Sequence, residues 1–341
     1  MRISMSHGSG GKMTDGLIRG IFVRHFNNET INLMEDAAVL RIPSDKIAFT
    51  TDSFVVSPLF FPGGDIGKLA VCGTVNDLLM RGAAPEYLSA GFILEEGLDT
   101  DALEKVAASM RKTADEAGVQ IVAGDTKVVE GAGGLYINTS GIGILNEEAN
   151  ISVHNAAEGD AVIISGFMGN HHACILSERM KNDSPGFMEN GILSDCAPLN
   201  EPVNALLESD IEVHAMRDIT RGGLATALYE IAAASGVHIA LSGDTALADE
   251  RVRGFCDILG LDPMYMGNEG KFVLILPQND EEKAVKLLKG CKYGENARIV
   301  GQVCERDKNY RGDKPLVTIK TRAGGTRAIE PMLGEGLPRI C

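Results

Sequence analysis

The sequence predicts a protein of two domains, each of which mixes β-strands with α-helices. The chain has 341 residues, which is more than one ordinary hydrophobic core holds together. Strand-like apolar runs alternate with helix-like periodic segments in both halves. Between the halves, the stretch Asn155–Gly159 interrupts this alternation. We therefore place the domain boundary near residue 155.

The N-terminal domain is predicted to span residues 36–155. Its clearest helix covers Asp101 to Ala117, because Leu103, Val106 and Met110 recur there at helical spacing. A glycine follows it, as is common at helix ends. The remaining predicted elements are a strand at Lys46–Thr51, a helix at Asp65–Met80, and strands at Gln120–Ala123 and Leu135–Leu145.

The C-terminal domain is predicted to span residues 156–306. A helix that follows Arg221 would place Leu224, Leu228 and Ile231 on one face. Residues 181–200 show no regular pattern. The other predicted elements are strands at Asp160–Ser165, Val237–Leu241, Lys271–Leu276 and Ala297–Val303, and helices at Asn170–Met180 and Asp280–Leu288.

Residues 1–35 are predicted to be a flexible, glycine-rich segment. The stretch Ser6–Lys12 contains Gly10 and Gly11, and a mobile glycine loop can close over phosphates through its backbone N–H groups. It is not a Walker A loop, because that motif requires a glycine where Ser6 stands and a Ser or Thr where Met13 stands. The alternative is a disordered terminus without a ligand.

Residues 307–341 are predicted to form a tail that ends in Cys341. The segment is rich in Gly, Pro and Arg, and such a tail gives its last residue a long reach. A thiol in this place could be modified by one enzyme and then enter the active site of its own chain. The alternative is an incidental disordered end. A prenylation motif does not fit, because it places its cysteine fourth from the end.

Charge and composition exclude several classes of function. Acidic residues outnumber basic ones by 47 to 32, and the net charge of −15 disfavours nucleic acid or an anionic membrane as the main partner. There is no bilayer-length apolar run and no apolar signal-peptide stretch, so we expect a cytoplasmic protein. The seven cysteines are scattered and form no CxxC pair, which indicates reduced thiols.

Four aspartates form the candidate nucleotide and metal site. Asp36 precedes a small apolar run, Asp52 and Asp125 are predicted at strand ends, and Asp77 lies on a helix whose face is opened by Gly73. Magnesium prefers oxygen ligands and commonly bridges carboxylates to the phosphates of ATP. The alternative is that each aspartate caps a helix or a turn.

A second candidate site is the cluster Arg217–Leu224, which opens a predicted helix. Thr220 is placed to cap that helix, whose N-terminus attracts anions, and the arginines could pair with phosphate. The alternative is an ordinary capped helix with surface charges. A third cluster, Asn268–Lys271, precedes an apolar strand.

Taken together, these segments resemble the HypE family of hydrogenase maturation proteins, which are carbamoyl dehydratases. The resemblance covers essentially the whole chain. HypE proteins belong to a larger group of ATP-binding enzymes similar to aminoimidazole ribonucleotide synthetase. The resemblance is carried by Ser6–Gly11, Ser53–Leu69, Gly91–Leu98, Gly124–Val129, Arg217–Gly223, Asn268–Lys271 and Pro338–Cys341.

The resemblance implies a two-domain α+β fold and a homodimer, with strands of both subunits forming a β-barrel at the interface. It implies that Mg²⁺ and ATP are surrounded by Asp36, Asp52, Asp77 and Asp125. It also implies nucleotide contacts from Lys68, Gly10, Gly11, Gly124, Asp218 and Thr220.

The resemblance also implies the reaction. A partner, HypF, would place a carbamoyl group on Cys341, and the chain would spend ATP to dehydrate it to a thiocyanate. The cyanide would pass to an iron held by HypC and HypD, for nickel–iron hydrogenase. Bases near the carbamoyl nitrogen are needed, and the family assigns Lys127 and Glu269 to that environment. The alternative for this pair is a structural salt bridge.

Two other functions stay open at the level of sequence. One is a different ATP-dependent synthetase of the same superfamily, although a selenophosphate synthetase usually needs a reactive cysteine near its N-terminus and this chain has none before Cys72. The other is a non-enzymatic scaffold for hydrogenase assembly that docks its partners through the tail.

Overall fold

The computed structural model of the chain describes residues 2–9, 12–34, 37–145, 150–183, 191–243, 247–305, 317–321 and 324–331. In these residues the fold contains a four-stranded sheet, a seven-stranded sheet and a short two-stranded ribbon. Helices cover one face of the first sheet and both faces of the second. The mixed α+β architecture that we predicted is confirmed.

The strands are β1 (Ile47–Phe54), β2 (Phe60–Phe61), β3 (Gly64–Asp65), β4 (Ala83–Glu95), β5 (Gln120–Val129), β6 (Leu135–Leu145), β7 (Asp160–Ile164), β8 (Ala215–Asp218), β9 (His238–Leu241), β10 (Phe272–Pro277), β11 (Arg298–Cys304), β12 (Val317–Lys320) and β13 (Thr326–Ile329). The strands that we predicted are confirmed, with ends that differ by a few residues. Six strands were not predicted: β2, β3, β4, β8, β12 and β13.

The helices are α1 (Lys12–Leu17), α2 (Arg24–Phe26), α3 (Glu29–Asn32), α4 (Ile66–Met80), α5 (Thr100–Ala117), α6 (Asn170–Asp183), α7 (Asn200–Leu207), α8 (Gly223–Ser235), α9 (Glu250–Leu259) and α10 (Glu281–Lys289). A π-helical stretch, Ile18–Val23, joins α1 to α2. Short 3₁₀ turns lie at Met5–His7, Pro263–Tyr265 and Gln278–Asp280. The predicted helices are confirmed.

The four-stranded sheet has the order β1-β6-β4-β5, so that β1 and β5 are its two edges. Along each strand, side chains alternate between a face packed under α4 and α5 and a face that no helix of the described residues covers. We name the second face the open sheet face; it carries Phe49, Ile93, Asp125, Lys127 and Val129, all of them exposed. A face with exposed apolar side chains of this kind is a candidate interaction surface.

The central strand β4 escaped prediction because its sequence breaks the rules for strands. Pro85 cannot donate a hydrogen bond to a neighbouring strand, and Gly91 weakens a strand pattern. In the structure the pairing with β6 shifts register between Pro85 and Tyr87, which accommodates the proline at a bulge. Beyond the bulge, Phe92 and Leu94 pack into the core.

The seven-stranded sheet has the order β13-β12-β9-β11-β7-β10-β8. Its central strands β7 and β10 are apolar runs that are buried almost throughout. Continuous apolar strands are expected where a sheet is covered on both faces. Here α8 belongs to the hydrophobic cluster of one face, and α6 and α10 belong to that of the other.

Helix α4 connects the two sheets. It contacts β1, β4 and β6 of the first sheet, and β8 at the edge of the second. Nearly its whole surface is buried, so its sequence shows no polar face. Helix α4 therefore sets the position of one sheet relative to the other.

Two predictions about the ends of the chain were wrong where the structure describes them. Residues 12–26 are helical rather than flexible, and Phe22 and Phe26 pack against Phe92 of β4. Apolar side chains in this segment follow a helical period that its glycines obscure. In the predicted tail, β12 and β13 complete the seven-stranded sheet. The domain boundary near residue 155 falls between β6 and β7 and stays a prediction.

Candidate active site

A cavity of about 790 Å³ lies between the two sheets, beside edge strand β1. We name it the acidic cavity, because Asp52, Asp77, Asp218 and Glu269 line it. The cavity reaches around β1, so that Ser53 and Asn138 of the open sheet face also border it. The other polar residues of its wall are Thr50, Thr51, Arg81, Arg217, Thr220 and Arg221.

Asp52 of β1 and Asp77 of α4 face each other across the contact between strand and helix. The Thr50 hydroxyl donates a hydrogen bond of 2.8 Å to Asp77 Oδ2. Gly73 permits this approach, since a Cβ there would lie 2.7 Å from the Phe54 ring. Burial is the main cause that raises the pKa of both carboxyl groups above their ordinary values, and the charge of Asp52 raises that of Asp77 further.

Asp218 is the last residue of β8 and brings a third carboxylate into the cavity. Burial, followed by the charge of Asp77, raises its pKa to about 7. Arg217 opposes this shift, although its guanidinium also pairs with Glu230 at 2.6 Å. Several carboxylates that share one pocket repel each other, and a cation would relieve this repulsion.

Glu269 lies in the segment before β10 and supplies the fourth carboxylate. Its backbone N–H donates a hydrogen bond of 3.0 Å to Asp195 Oδ1. Burial raises the pKa of Glu269 well above its ordinary value, and the neighbouring Cys196 and Asp218 raise it further. Burial thus makes this carboxylate a stronger base than an exposed glutamate, which suits proton transfer once the group is ionised.

The turn Thr220–Gly223 forms one corner of the cavity. Thr220 and Arg221 line it, as the sequence cluster suggested. Helix α8 is capped by Gly222, which has φ of 76°, and not by the side chain of Thr220. Gly223 is required by close packing, because a Cβ there would lie 2.5 Å from the Met264 carbonyl oxygen.

Asp125 and Lys127 lie away from the acidic cavity of their own chain. Both are exposed on β5, and Lys127 Nζ pairs with Asp125 Oδ2 at 3.2 Å. The two edges β1 and β5 are three strand spacings apart, or ~14 Å. The predicted strand ends were also wrong, because Asp52 and Asp125 lie within β1 and β5. One chain therefore does not bring Lys127 to Glu269.

Gly124 and Asp125 border a second cavity of about 260 Å³ that is mainly apolar. Its wall includes the aromatic group of Phe22, Phe26 and Phe92. Gly124 has a structural reason to be glycine, because a Cβ there would lie 2.6 Å from the Ala90 carbonyl oxygen on β4.

Lys68 lies in the first turn of α4, after the helix cap formed by Asp65. Its Nζ donates a hydrogen bond of 3.0 Å to the Gly63 carbonyl oxygen. Nine residues of helix separate Lys68 from Asp77, or ~13 Å, and Lys68 does not line the acidic cavity. Gly10, Gly11, Asp36 and Cys341 lie outside the described residues.

The fit of the site to a metal ion rests on its carboxylates. Among the residues that the structure describes, no group of three or more His, Cys, Asp or Glu side chains could hold a metal ion by itself. Mg²⁺ commonly takes only one or two carboxylates and completes its shell with waters and phosphate oxygens. Asp52 and Asp77 fit that kind of shared site.

Two supporting residues escaped prediction, Asn76 and Asp195. Asn76 is buried beside Asp77 on α4, and Asp195 lies in a segment that the sequence showed only as irregular. A buried amide within an apolar helix is the one sign that could have pointed to Asn76. All six described cysteines are free thiols, as predicted. No helix in the described ranges has the length and apolarity needed to cross a membrane.

Two family models match the chain. "AIR synthase related protein, N-terminal domain" matches residues 34–145, and "AIR synthase related protein, C-terminal domain" matches residues 157–314. Carbamoyl dehydratase HypE of Cupriavidus necator is 43% identical, over 100% of this chain and 95% of that protein. The predicted two-domain fold similar to aminoimidazole ribonucleotide synthetase is thereby confirmed.

Solved structures show the same likeness. A structure of hydrogenase maturation protein HypE in complex with ATP is 46% identical, covers 99% of both chains and has a TM-score of 0.92. The HypE chain of a HypE–HypF complex is 45% identical, with a TM-score of 0.77, over 93% of this chain and 99% of that chain.

Proposed function

Since the chain belongs to the AIR synthase related family and, within it, to the HypE carbamoyl dehydratases, we propose that it spends ATP to dehydrate a carbamoyl group on Cys341. The product is a thiocyanate, which donates cyanide for the iron of nickel–iron hydrogenase. One observation carries this proposal. The acidic cavity combines a carboxylate suited to proton removal, Glu269, with aspartates and arginines suited to a metal nucleotide.

The chemistry requires that an amide lose its oxygen and both nitrogen protons. The carbamoyl oxygen attacks the terminal phosphate of ATP, and ADP leaves. The oxygen, now bound to phosphate, is a good leaving group. Two protons leave the nitrogen, the C–O bond breaks, and phosphate departs as the C≡N bond forms. Water thus leaves as part of phosphate, and the sulfur of Cys341 keeps its bond to carbon.

The residues of the cavity and further residues proposed to join them divide these tasks. Glu269 accepts a proton from the nitrogen, with Lys127 as the second group of that environment. Arg217 and Arg221 face the space where phosphate charge develops. Asp52 and Asp77 would hold Mg²⁺, which neutralises phosphate charge when bound. Asp36 and Asp125 are further proposed ligands, and Lys68, Gly10, Gly11, Gly124, Asp218 and Thr220 are the proposed nucleotide contacts.

The homodimer is part of the proposal, because one chain leaves the site incomplete. The open sheet face is apolar at Phe49, Ile93 and Val129, and neither edge of its sheet pairs with another described strand. Two such sheets can close into a barrel, which buries the face and pairs the edges. If β5 of one subunit pairs beside β1 of the other, Asp125 and Lys127 approach the partner's acidic cavity.

The partners follow from the reaction. HypF is the proposed donor of the carbamoyl group, supported by the solved complex of a similar HypE with HypF. HypC and HypD, which hold the iron, are the proposed acceptors of cyanide. The alternative is a scaffold that binds these partners without chemistry, or another ATP-dependent synthetase of the superfamily.

The test is mass spectrometry of the peptide that contains Cys341. The chain is incubated with HypF and carbamoyl phosphate, purified, and then given ATP and Mg²⁺. We expect a carbamoyl group on Cys341 that loses one water while one ADP forms. A Cys304→Ser variant, which removes another thiol near the tail, is the control and should behave like wild type.

Two outcomes would contradict the proposal. If the carbamoyl group is found on another cysteine, the carrier role of Cys341 is wrong. If Cys341 is carbamoylated but its carbamoyl group is not dehydrated while ATP is bound, the chain is a scaffold and not a dehydratase.

A further inference from the structure

The backbone of Glu269 is held from both sides by one short segment, residues 195–199. On one side, its N–H donates to Asp195 Oδ1 at 3.0 Å. On the other side, its carbonyl oxygen accepts a hydrogen bond of 3.3 Å from the Ala197 N–H. Two opposed bonds to the same segment leave the backbone of Glu269 little freedom to shift.

The next residue makes this contact possible. A Cβ on Gly270 would lie 2.0 Å from the Asp195 carbonyl oxygen and 2.9 Å from the Ala197 nitrogen. Only a glycine lets the two backbones pack at this distance. The location of Glu269 therefore depends on where the segment 195–199 is anchored.

The anchor of this segment is the buried side chain of Asn76. Its amide nitrogen donates a hydrogen bond of 3.1 Å to the Ala197 carbonyl oxygen and lies 3.5 Å from the Glu269 carbonyl oxygen. Its amide oxygen accepts a hydrogen bond of 2.9 Å from the Leu199 N–H. Asn76 is 3% exposed, so water does not readily replace these bonds.

Asn76 and Asp77 are consecutive residues of α4 with different tasks. Asp77 points into the acidic cavity, where it accepts from Thr50. Asn76 points to the segment that holds Glu269. One rigid helix thus carries a proposed ligand of the metal nucleotide and the anchor of the proposed base.

We propose that Asn76 is a positioning residue that sets the distance between Glu269 and the nucleotide held at Asp77. This inference rests on the proposed dehydration of the carbamoyl group. Asn76 touches neither substrate; it acts through residues 195–199. Proton transfer depends steeply on geometry, and a displacement of about 1 Å can cost up to ~100-fold in rate.

The test compares rate and nucleotide affinity in Asn76→Ala. Single-turnover loss of water from the carbamoylated chain gives the rate, and titration of the unmodified chain gives the Kd for ATP. We expect the rate to fall about tenfold or more while the Kd stays within about twofold. A role in folding alone would move the melting temperature and leave the rate of the folded fraction unchanged.

Asn200→Ala is the matched control. Asn200 follows directly after Leu199 and bonds the Ala117 carbonyl oxygen at 2.9 Å, without contact to Glu269. We expect its rate within about twofold of wild type. Should Asn76→Ala not fold, Asn76→Ser serves as the second variant; its shorter side chain does not reach both Ala197 and Leu199, so the same fall in rate is expected.

The outcomes separate this inference from the function on which it rests. If wild type binds ATP but never loses water from its carbamoyl group, the proposed function fails and the role of Asn76 in it fails too. If wild type is active and folded Asn76 variants keep the full rate, only the positioning role is wrong. A fall in rate matched by an equal loss of ATP affinity would also overturn it.

Discussion

The acidic cavity and the open sheet face carry the same kinds of residue in opposite surroundings. In the cavity, Asp77 is enclosed by β1 and α4 and accepts a hydrogen bond from Thr50. On the open face, Asp125 is paired with Lys127 at 3.2 Å, and both side chains are about two-thirds exposed, at 69% and 67%. The cavity is preorganised within one chain. The open face gains comparable surroundings only when another surface covers it.

This difference shows which of the proposed catalytic groups a single chain brings together. The carboxylate that we propose as base, Glu269, is held in place by its own chain. Lys127, which we propose for the same step, is on the far edge of a sheet ~14 Å wide. Either Lys127 acts on a different chain, or it does not act at all. The following predictions decide between these cases.

The largest expected effect is the loss of activity in two single variants and its recovery when they are mixed. Glu269→Gln removes the base and should lower the rate of water loss by at least ~100-fold while ATP still binds. Lys127→Ala should lower it by at least ~10-fold. If the two groups come from different subunits, exchange of the two impaired proteins at equal amounts raises the activity to ~25% of wild type, because half of the dimers then contain one intact site.

The measurement is the single-turnover rate after subunit exchange, with each variant alone as control. Mixing without recovery would show that Glu269 and Lys127 belong to one subunit's site. Full activity of Lys127→Ala would remove Lys127 from the reaction and leave the open face without a chemical role.

An intermediate effect is expected from a charge on the open sheet face. Phe49 is 65% exposed in one chain, so Phe49→Asp should change the stability of the monomer little. In the proposed dimer the same charge is buried against an apolar surface, which should weaken association by ~100-fold or more. Sedimentation velocity over a range of concentrations measures this.

The control for that experiment is Ile258→Asp on α9. Ile258 is also 65% exposed but lies on α9, whose main contacts are with α6 and the turn Pro263–Tyr265. Its association should equal that of wild type. If Phe49→Asp remains a dimer, the interface lies elsewhere, and the barrel that the family resemblance implies is wrong.

The smallest effect is a pH dependence of stability that originates in the cavity. The pKa of Asp218 is about 7 in the folded chain, above the ordinary value of an unfolded aspartate. The folded state therefore binds more protons than the unfolded state between these two values. By linkage, this contribution to stability is complete at low pH and is lost as the pH rises through 7.

Asp218→Asn should consequently stabilise the ligand-free chain at pH 8, by on the order of 1 kcal/mol, and much less at pH 5. Urea unfolding at the two pH values measures the difference, and Asp257→Asn on the exposed side of α9 is the control. An Asp218→Asn variant that is equally stabilised at both pH values would contradict the electrostatic origin of this effect.

Part of the fold could be predicted because it follows local rules. Helix α5 has apolar residues at helical spacing and a glycine at its end, and strands β7 and β10 are short apolar runs. Strand β4 could not be predicted in the same way. Pro85 and Gly91 argue against a strand, and only pairing with β5 and β6 on both sides stabilises it.

The N-terminal helices could not be predicted from the local sequence either. Their glycines suggested a flexible segment, and intrinsic preference alone would not form helices this short. The contact of Phe22 with Phe92, with ring centroids 4.4 Å apart, gives the segment a tertiary reason to fold. Tertiary packing thus overrides local conformational preference both in β4 and in the N-terminal helices.

By itself, the sequence determined the family, the mixed architecture and the residue types of the site, because these depend on motifs and on periodicity along the chain. Only the tertiary structure decided which of these residues meet. It brought Asp52, Asp77, Asp218 and Glu269 into one cavity and left Asp125 and Lys127 on an open face. It also revealed Asn76 as the anchor of Glu269. The physical reason is that contacts across 193 residues of sequence depend on how two sheets pack against one helix, which no local pattern encodes.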